Sequence, residues 1–524
     1  MKQGIVYLIG AGPGDPGLIT VKGRDCLRKA DVVVYDYLAN PVLLDEVPPQ
    51  AERIYVGKTR GQHHTPQPQI NALLVERARR GQIVARLKGG DPYVFGRGGE
   101  EAEELQAAGV PFEVVPGISA GFAAAAYAGI PLTHRDYTTS LGLVTGHENP
   151  AKKVSNLDWQ KLATGVGTLV FYMGMTNLAL IAEQLMAHGR DPQTPVAVIR
   201  WGTLPHQQTV TATLADMVKQ VAAAKLKPPA VIVVGEVVRL RDRLRWFDNR
   251  PLFGRKVLVT RSPQQAPLLA GLLQASGAEA VCLPTVNILP PASWQDLDEA
   301  IAELSETDYL ILTSANGVAA FFDRLSAADR DSRALHGVTI VAVGPKTAAA
   351  IAEHGLQADL LPQRHQAEGI IELLQQRNLA GKRILYPRSA IARDLLEQEL
   401  TASGAVVRAP IAYRTEPAKE GAERLRELLS AEELDAVTFT SASTVDHCLA
   451  LLGPHEVNYL NRAVIAAIGP LTAAAAKKHG LTVQVQPAEP SCEALVKALV
   501  EYFRKNCNRK PILTQSRKDA KKSI

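Results

Sequence analysis

The chain has 524 residues, of which 46% are apolar, 21% charged and 5% aromatic, with a formal net charge of +5. That length exceeds one ordinary core and implies about two to four domains of soluble globular protein. So few aromatics argue against a base-stacking nucleic-acid platform, and the longest apolar stretch, near residues 120–130, is too short to span a bilayer.

After Met1-Lys2-Gln3, the run Gly4–Ile9 reads as a first strand rather than a signal peptide. The loop Gly10-Ala-Gly-Pro-Gly-Asp15 follows it and mimics a dinucleotide loop, but Pro13 and the glycine spacing do not fit that fingerprint. Val32–Tyr35 is the next strand. Ile83–Leu87 is another, and it opens the glycine-rich run Arg86–Glu101, in which Gly89, Gly90, Gly96, Gly98 and Gly99 permit positive φ or close approach of a ligand. A helix is predicted over Gly99–Ala108. Leu169–Tyr172, Val196–Ile199 and Val231–Gly235 complete the strands of the first half, alternating with helical stretches. Alternation implies α/β architecture with mostly parallel sheets, and two glycine-rich turns at strand ends are where such proteins bind small molecules. His63 and His64 are adjacent, so they form no helical metal pair. With His134 and His147 they read as loop residues or contacts to substrate carboxylates, and no metal is expected. Arg135 binds a carboxylate or braces Asp136.

A charged helix end at Arg239–Phe247 and the segment Asp248–Gly254 mark a boundary. Beyond it the chain repeats itself. Asp308–Asn316 resembles Asp435–Ser443, and Val343–Leu356 resembles Ile468–Leu481. A second unit, Lys256–Arg261 with Ser276-Gly-Ala278, recurs as Lys382–Arg388 with Ser403-Gly-Ala405. The two units alternate, which predicts two similar doubly wound lobes with a cleft between them. Thr313-Ser314-Ala-Asn316 and Thr440-Ser441-Ala-Ser443 follow strands and start helices, as do Gly344-Pro-Lys-Thr347 and Gly469-Pro-Leu-Thr472. Such helix starts suit a ligand with several carboxylates; the plain alternative is that they cap helices. The cysteines Cys26, Cys282, Cys448, Cys492 and Cys507 are scattered and odd in number, pointing to a reducing, cytoplasmic setting without disulfides. Residues 504–524, with Lys505, Arg509, Lys510, Arg517, Lys518, Lys521 and Lys522, read as a basic disordered tail.

The first-half loops, together with Val115–Ala120, Pro131–Asp136, Phe171–Gly174 and Pro195–Ile199, closely resemble the tetrapyrrole methylases. Val33-Val-Tyr-Asp-Tyr37, Val56-Gly-Lys58 and Leu87–Pro92 resemble uroporphyrinogen-III C-methyltransferase in particular. The resemblance implies a two-lobed domain over 1–247 with S-adenosylmethionine in its cleft, contacted by Pro13, Gly89, Gly90, Asp91, Val94, Ser119, Ala120, Met173 and Gly202. It also implies Asp36 as proton acceptor, Lys58 as proton donor and a homodimer formed through this half. The plain alternatives are a strand-end turn residue for Asp36 and a surface charge for Lys58. Residues 248–254 would be a linker.

Residues 255–503 resemble uroporphyrinogen-III synthase, whose lobes would be 255–288 with 412–503, and 289–411. That resemblance implies ring closure of hydroxymethylbilane with inversion of ring D. Tyr413 would assist departure of hydroxyl, and Arg261, Thr313, Ser314, Asn316, Thr347, Arg388, Ser441, Ser443 and Thr472 would contact substrate. The implied whole is a bifunctional enzyme making precorrin-2 for sirohaem or cobalamin, acting on small-molecule tetrapyrroles with neither nucleic acid nor membrane as partner. The other reading is a methylase of a different tetrapyrrole intermediate with a non-catalytic, tetrapyrrole-sensing second half.

Overall fold

The computed structural model describes residues 4–57, 65–146, 157–262, 265–283, 286–418, 420–452 and 456–506. The chain divides into two compact units. One comprises Met1–Val257, Gly271–Ala280 and Val496–Ile524; the other comprises Leu258–Ala270 and Val281–Leu495.

The first unit is built on two sheets. Strands β1 (Ile5–Gly10), β2 (Val32–Tyr35), β3 (Glu52–Tyr55), β4 (Ile83–Lys88) and β5 (Phe112–Val115) pair in the order β3-β2-β4-β1-β5, all parallel. Val32, Val33 and Val34 are all fully buried, as expected of a parallel strand covered on both faces. Leu74 and Leu105, on the helices Gln67–Arg79 and Gly98–Ala107, pack with Val6, Leu8 and Val84 on one face. Leu27, Leu43 and Leu44 pack with Ile9, Val33, Ala85 and Leu87 on the other. Because β4, β1 and β5 are neighbours, the loops leaving their carboxyl ends are neighbours too.

The second sheet of this unit departs from the expectation of mostly parallel pairing. Strands β6 (Leu141–Thr145), β7 (Thr168–Tyr172), β8 (Pro195–Arg200), β9 (Gln208–Thr213) and β10 (Ala230–Val234) run in the order β6-β7-β10-β8-β9. Only β6 and β7 are parallel; β10 is antiparallel to β7 and β8, and β8 to β9. The connection over 201–207 is too short for a parallel crossover, so β8 and β9 form a hairpin.

Over residues 256–485 the internal repeat becomes two sheets. One runs Glu279–Cys282, Lys256–Val259, Ala436–Phe439, Val464–Ala467, Val483–Val485; the other runs Thr339–Ala342, Tyr309–Leu312, Arg383–Leu385, Val406–Arg408. The second of these is parallel throughout. The chain crosses between the lobes through Val286–Leu289 and Ile411–Pro417, which pair antiparallel. Among the described residues, no helix is long and apolar enough to cross a membrane.

Residues 246–254 are held on the first unit. Trp246 Nε1 donates to Ala126 O at 3.1 Å, the Phe247 ring meets Tyr127, and Gly254 N donates to Pro205 O at 3.1 Å. Asp248 accepts from Gln207 Nε2 at 2.9 Å and pairs with Arg241, which also donates to Ala128 O. The Arg241 and Asp248 side chains are only 4% and 9% exposed, so Asp248→Ala would strand a buried guanidinium. We expect it to destabilise the first unit by about 3–5 kcal/mol. In urea denaturation of the full chain, one unfolding transition should move to lower denaturant while the other stays in place.

Candidate functional site

The loops after β1, β4 and β5 interlock through bare backbone. Gly90 N donates to Gly12 O at 2.7 Å, Gly12 N to Gly90 O at 3.2 Å, and Ala11 N to Lys88 O at 2.7 Å. A Cβ at Gly10 would lie 2.4 Å from Gly117 Cα, and one at Gly117 would lie 2.3 Å from Gly90 O. Gly90 has φ +71, and a Cβ there would lie 3.7 Å from Ala120 N and 3.8 Å from Ser119 Cα. The Asp91 carboxylate is spent on the loop itself. Its Oδ1 accepts from the amides of Tyr93 and Val94 at 2.8 and 3.1 Å, and its Oδ2 from Gly117 N at 3.0 Å.

The second lobe of the same unit closes on these loops. Tyr172 Oη lies 2.8 Å from Ser119 Oγ and accepts from Gly121 N at 2.9 Å, fixing the start of the helix Ala120–Tyr127. Burial pushes the Tyr172 phenol above its ordinary pKa. Met173 follows with φ 54 and a half-exposed side chain, and Phe95 lies over Tyr172 at 4.8 Å. A Cβ at Gly202 would lie 2.4 Å from Ala124 Cβ. Thr203, buried and with φ 74, accepts from Asp15 N at 2.9 Å, and Tyr127 donates to Asp15 Oδ2 at 2.7 Å. Pro13, Gly89, Gly90, Asp91, Val94, Ser119, Ala120, Met173 and Gly202 thus lie on segments that are braced against one another. Of their braces, Asp15 closes the glycine loop already noted in the sequence, while Tyr127 and Thr203 carry no motif signal there. Tyr172 falls inside Phe171–Gly174 but is not distinguished there from a core aromatic.

Asp36 follows β2. Its Oδ1 accepts from Leu38 N at 3.1 Å and its Oδ2 from Arg86 Nη2 at 3.2 Å, with the side chain 21% exposed. Leu38 in turn abuts Gly89, where a Cβ would lie 2.4 Å from Leu38 Cβ. The carboxylate is therefore tied to the segment that touches the glycine loop. Lys58, His63, His64 and His147 lie outside the described residues. Behind Asp36 is a charged cluster that the sequence reading missed: Arg86 and Lys88 are buried against a fully buried Glu101. Burial, and then the Arg86 charge, hold the Lys88 ammonium below its ordinary pKa.

In the second unit the named residues fall into two groups, one per lobe. Ser314 Oγ accepts from Gly317 N at 2.9 Å and lies 3.0 Å from Tyr413 Oη. Thr313 precedes Ser314 at the end of its strand, and in the same lobe burial raises the pKa of the buried Tyr386 phenol. Asn316 is half-buried on the first turn of the same helix, and Thr347 is buried on the first turn of Pro345–Ala352. In the other lobe Ser441 caps its helix through Thr444 N at 3.2 Å and lies 2.9 Å from Ser443 Oγ, while Thr472 is buried on Pro470–Lys478. Arg388 pairs with Asp394 at 2.5 Å and Glu397 at 3.5 Å. Arg261 Nη1 donates to Cys492 Sγ at 3.1 Å. These two arginines follow equivalent strands of the repeat, Lys256–Val259 and Arg383–Leu385, and both have a buried Nε without a hydrogen-bond partner among the described residues. Tyr386 is the residue here that the sequence reading passed over.

Residues 5–218 match the family model described as Tetrapyrrole (Corrin/Porphyrin) Methylases, and residues 268–497 match that for Uroporphyrinogen-III synthase HemD. The chain is 38% identical over 506 residues to the Porphyrin biosynthesis protein HemD of Ruminiclostridium josui, covering 96% of this chain and 98% of that protein. It is 45% identical over 338 residues to the Uroporphyrinogen-III C-methyltransferase of Bacillus subtilis, covering 64% of this chain and 68% of that one. A crystal structure of the Thermus thermophilus uroporphyrin-III C-methyl transferase complexed with S-adenosyl homocysteine aligns with a TM-score of 0.39 at 40% identity, covering 45% of this chain and 99% of that one.

The interlocked glycines predict a local effect. Gly117→Ala must part the loops after β1 and β4, because its Cβ would meet backbone rather than a movable side chain. In hydrogen–deuterium exchange, the amides of Gly12 and Gly90 should exchange at least about tenfold faster, while strands of the second unit keep their protection.

Proposed function

The chain belongs to the porphyrin-biosynthesis family in which a tetrapyrrole methylase is joined to a uroporphyrinogen-III synthase, and from that premise we propose that it makes precorrin-2 from hydroxymethylbilane. Residues 255–503 close the linear tetrapyrrole to uroporphyrinogen III with inversion of ring D and loss of water. Residues 1–247 then methylate that product at C2 and C7, toward sirohaem or cobalamin. The observation that carries the reading is that consecutive enzymes match consecutive halves of one chain, with a relative similar along nearly its whole length.

The residues of the first unit fit S-adenosylmethionine. Gly89 offers partly exposed backbone, Gly90 lets the loop close on Gly12 beside it, and Val94, Ala120 and Met173 supply apolar surface beside Pro13, Asp91, Ser119 and Gly202. When bound, the cofactor supplies an electrophilic methyl group. Alignment of donor and acceptor is the main task of these loops, which is consistent with their bracing by Asp15, Thr203 and Tyr172. A pyrrole methylated on carbon is a cation and must lose a proton; Asp36 accepts it, and Lys58 serves as proton donor. Two copies of this half form a homodimer.

In the second unit the reacting centre ionises readily because a pyrrole stabilises the adjacent cation, so the lobes chiefly hold one fold of the substrate. Tyr413, with Ser314 beside its hydroxyl, assists departure of the hydroxyl group. Arg261, Arg388 and the helix starts at Thr313–Asn316, Thr347, Ser441–Ser443 and Thr472 receive the carboxylates.

Anaerobic incubation of the full chain with hydroxymethylbilane, followed by chromatography of the oxidised products, tests both halves. Type III uroporphyrin without S-adenosylmethionine, and a dimethylated product with it, are expected. Type I isomer alone would reject the synthase assignment, and type III without methylation would reject the methylase substrate. Asp36→Asn should lower methylation at least about 100-fold while leaving ring closure intact, and Tyr413→Phe should lower ring closure about tenfold while leaving methylation of supplied uroporphyrinogen III intact.

A further inference from the structure

Arg86 and Lys88 share the face of β4 that also carries Val84, since side chains two apart on a strand point the same way. The helices Gln67–Arg79 and Gly98–Ala107 cover that face, and there the apolar row gives way to charge. The Arg86 and Lys88 side chains are each 4% exposed and Glu101 is 0% exposed. Glu101 Oε1 accepts from Lys88 Nζ at 2.8 Å, Gln67 Nε2 at 3.0 Å and Arg86 Nε at 3.2 Å. Glu101 Oε2 is buried without a hydrogen-bond partner among the described residues. Desolvating three charges is costly, and an apolar cluster of equal volume would serve stability as well or better. The cluster has one outlet. The Arg86 guanidinium is fixed by Glu101, by Leu87 O at 3.1 Å and by Val34 O at 3.4 Å, and its remaining nitrogen reaches Asp36 Oδ2 at 3.2 Å.

We propose that Glu101 is a positioning residue for proton transfer in the methylase half, acting on Asp36 through Arg86. The inference rests on the reading of Asp36 as the base. Glu101 does two things at once. It clamps the guanidinium so that the Asp36 carboxylate has one orientation, and it balances the two buried cations so that Asp36 does not face them alone. The charged and titratable groups around Asp36 among the described residues are Arg86 and Lys88 from β4, Tyr55 from β3 and Tyr37 on its own loop. The groups around Glu101 are Arg86 and Lys88 on the strand, with the amides of Gln67 and Asn71 on the helix above it. Removing the Glu101 charge leaves Arg86 and Lys88 attracting the proton-accepting carboxylate without compensation, which stabilises its ionised form and weakens it as a base.

The test is Glu101→Gln in the full chain, an isosteric change that keeps the packing. Methylation of uroporphyrinogen III is followed from pH 5 to 9 with S-adenosylmethionine varied, beside Asp36→Asn. The expected outcome is kcat lowered about tenfold, KM for S-adenosylmethionine within about twofold of wild type, and the acid limb of the kcat profile moved about one unit to lower pH. A loss of kcat with the limb unmoved would mean Glu101 is only structural, and the proposal falls while the role of Asp36 stands. Should Asp36→Asn keep its activity, the reading of Asp36 fails and the proposal with it. If Glu101→Gln does not fold, Arg86→Lys replaces it. Lysine keeps the charge but lacks the fork that reaches both carboxylates, so kcat should fall about tenfold at unchanged KM; full activity in that variant overturns the proposal.

Discussion

The first unit depends on a place where backbone touches backbone. Gly10, Gly90 and Gly117 come from loops after three neighbouring strands, and any Cβ at Gly10 or Gly117 would sit inside the van der Waals envelope of the next loop. The parallel sheet makes this possible. With β4, β1 and β5 side by side, their carboxyl ends must deliver three loops to one spot, and only residues without side chains let all three close there. Once they are closed, Asp91 spends its whole carboxylate on their amides. The main chain of Gly90 is taken up by Gly12 in both directions, so the loops are fixed in place before any ligand arrives.

The second unit is built by repetition. Ser314 and Ser441 stand at the same point of the repeat and cap their helices in the same way, but only Ser314 also meets a tyrosine hydroxyl. The two arginines that follow the equivalent strands have likewise diverged, Arg388 into a carboxylate pair and Arg261 onto a cysteine sulfur. The repeat therefore yields two lobes of similar plan whose equivalent residues have different partners. A capped helix start still presents amides to a ligand, so capping and binding are compatible uses of the same residues.

Much of this was legible in the sequence for a physical reason. Strands such as Val32–Tyr35 and Leu169–Tyr172 are apolar without interruption because both faces are covered, and the glycine loops announce themselves by composition. The edge strands Glu52–Tyr55 and Gln208–Thr213 did not stand out, since Glu, Arg, Gln and Thr on half-exposed edges carry no apolar run. The antiparallel pairing of the second sheet was equally hidden, because alternation of strands and helices says nothing about strand direction where a short hairpin intervenes. The paired brace of Asp15 and Thr203 joins residues 188 positions apart; Asp15 ends a visible glycine loop, but nothing local marks Thr203 as its partner.

The buried charges show what a closer reading of one strand would have yielded. Arg86 and Lys88 lie two apart among Ile83, Val84, Ala85 and Leu87, in a strand whose position at the centre of a parallel sheet forbids an exposed face. Charge in such a place must find a partner or be lost, so the sequence already demanded a buried carboxylate nearby. The acidic stretch Glu100-Glu101 opening the next helix was the available source. Of these two, Glu100 faces solvent and pairs with Arg97, whereas Glu101, one residue on, turns inward to Arg86 and Lys88. A helix rotates about 100° per residue, so adjacent identical residues acquire opposite tasks. That rotation is what links the helix after the glycine loop, the central strand and Asp36 through one chain of contacts.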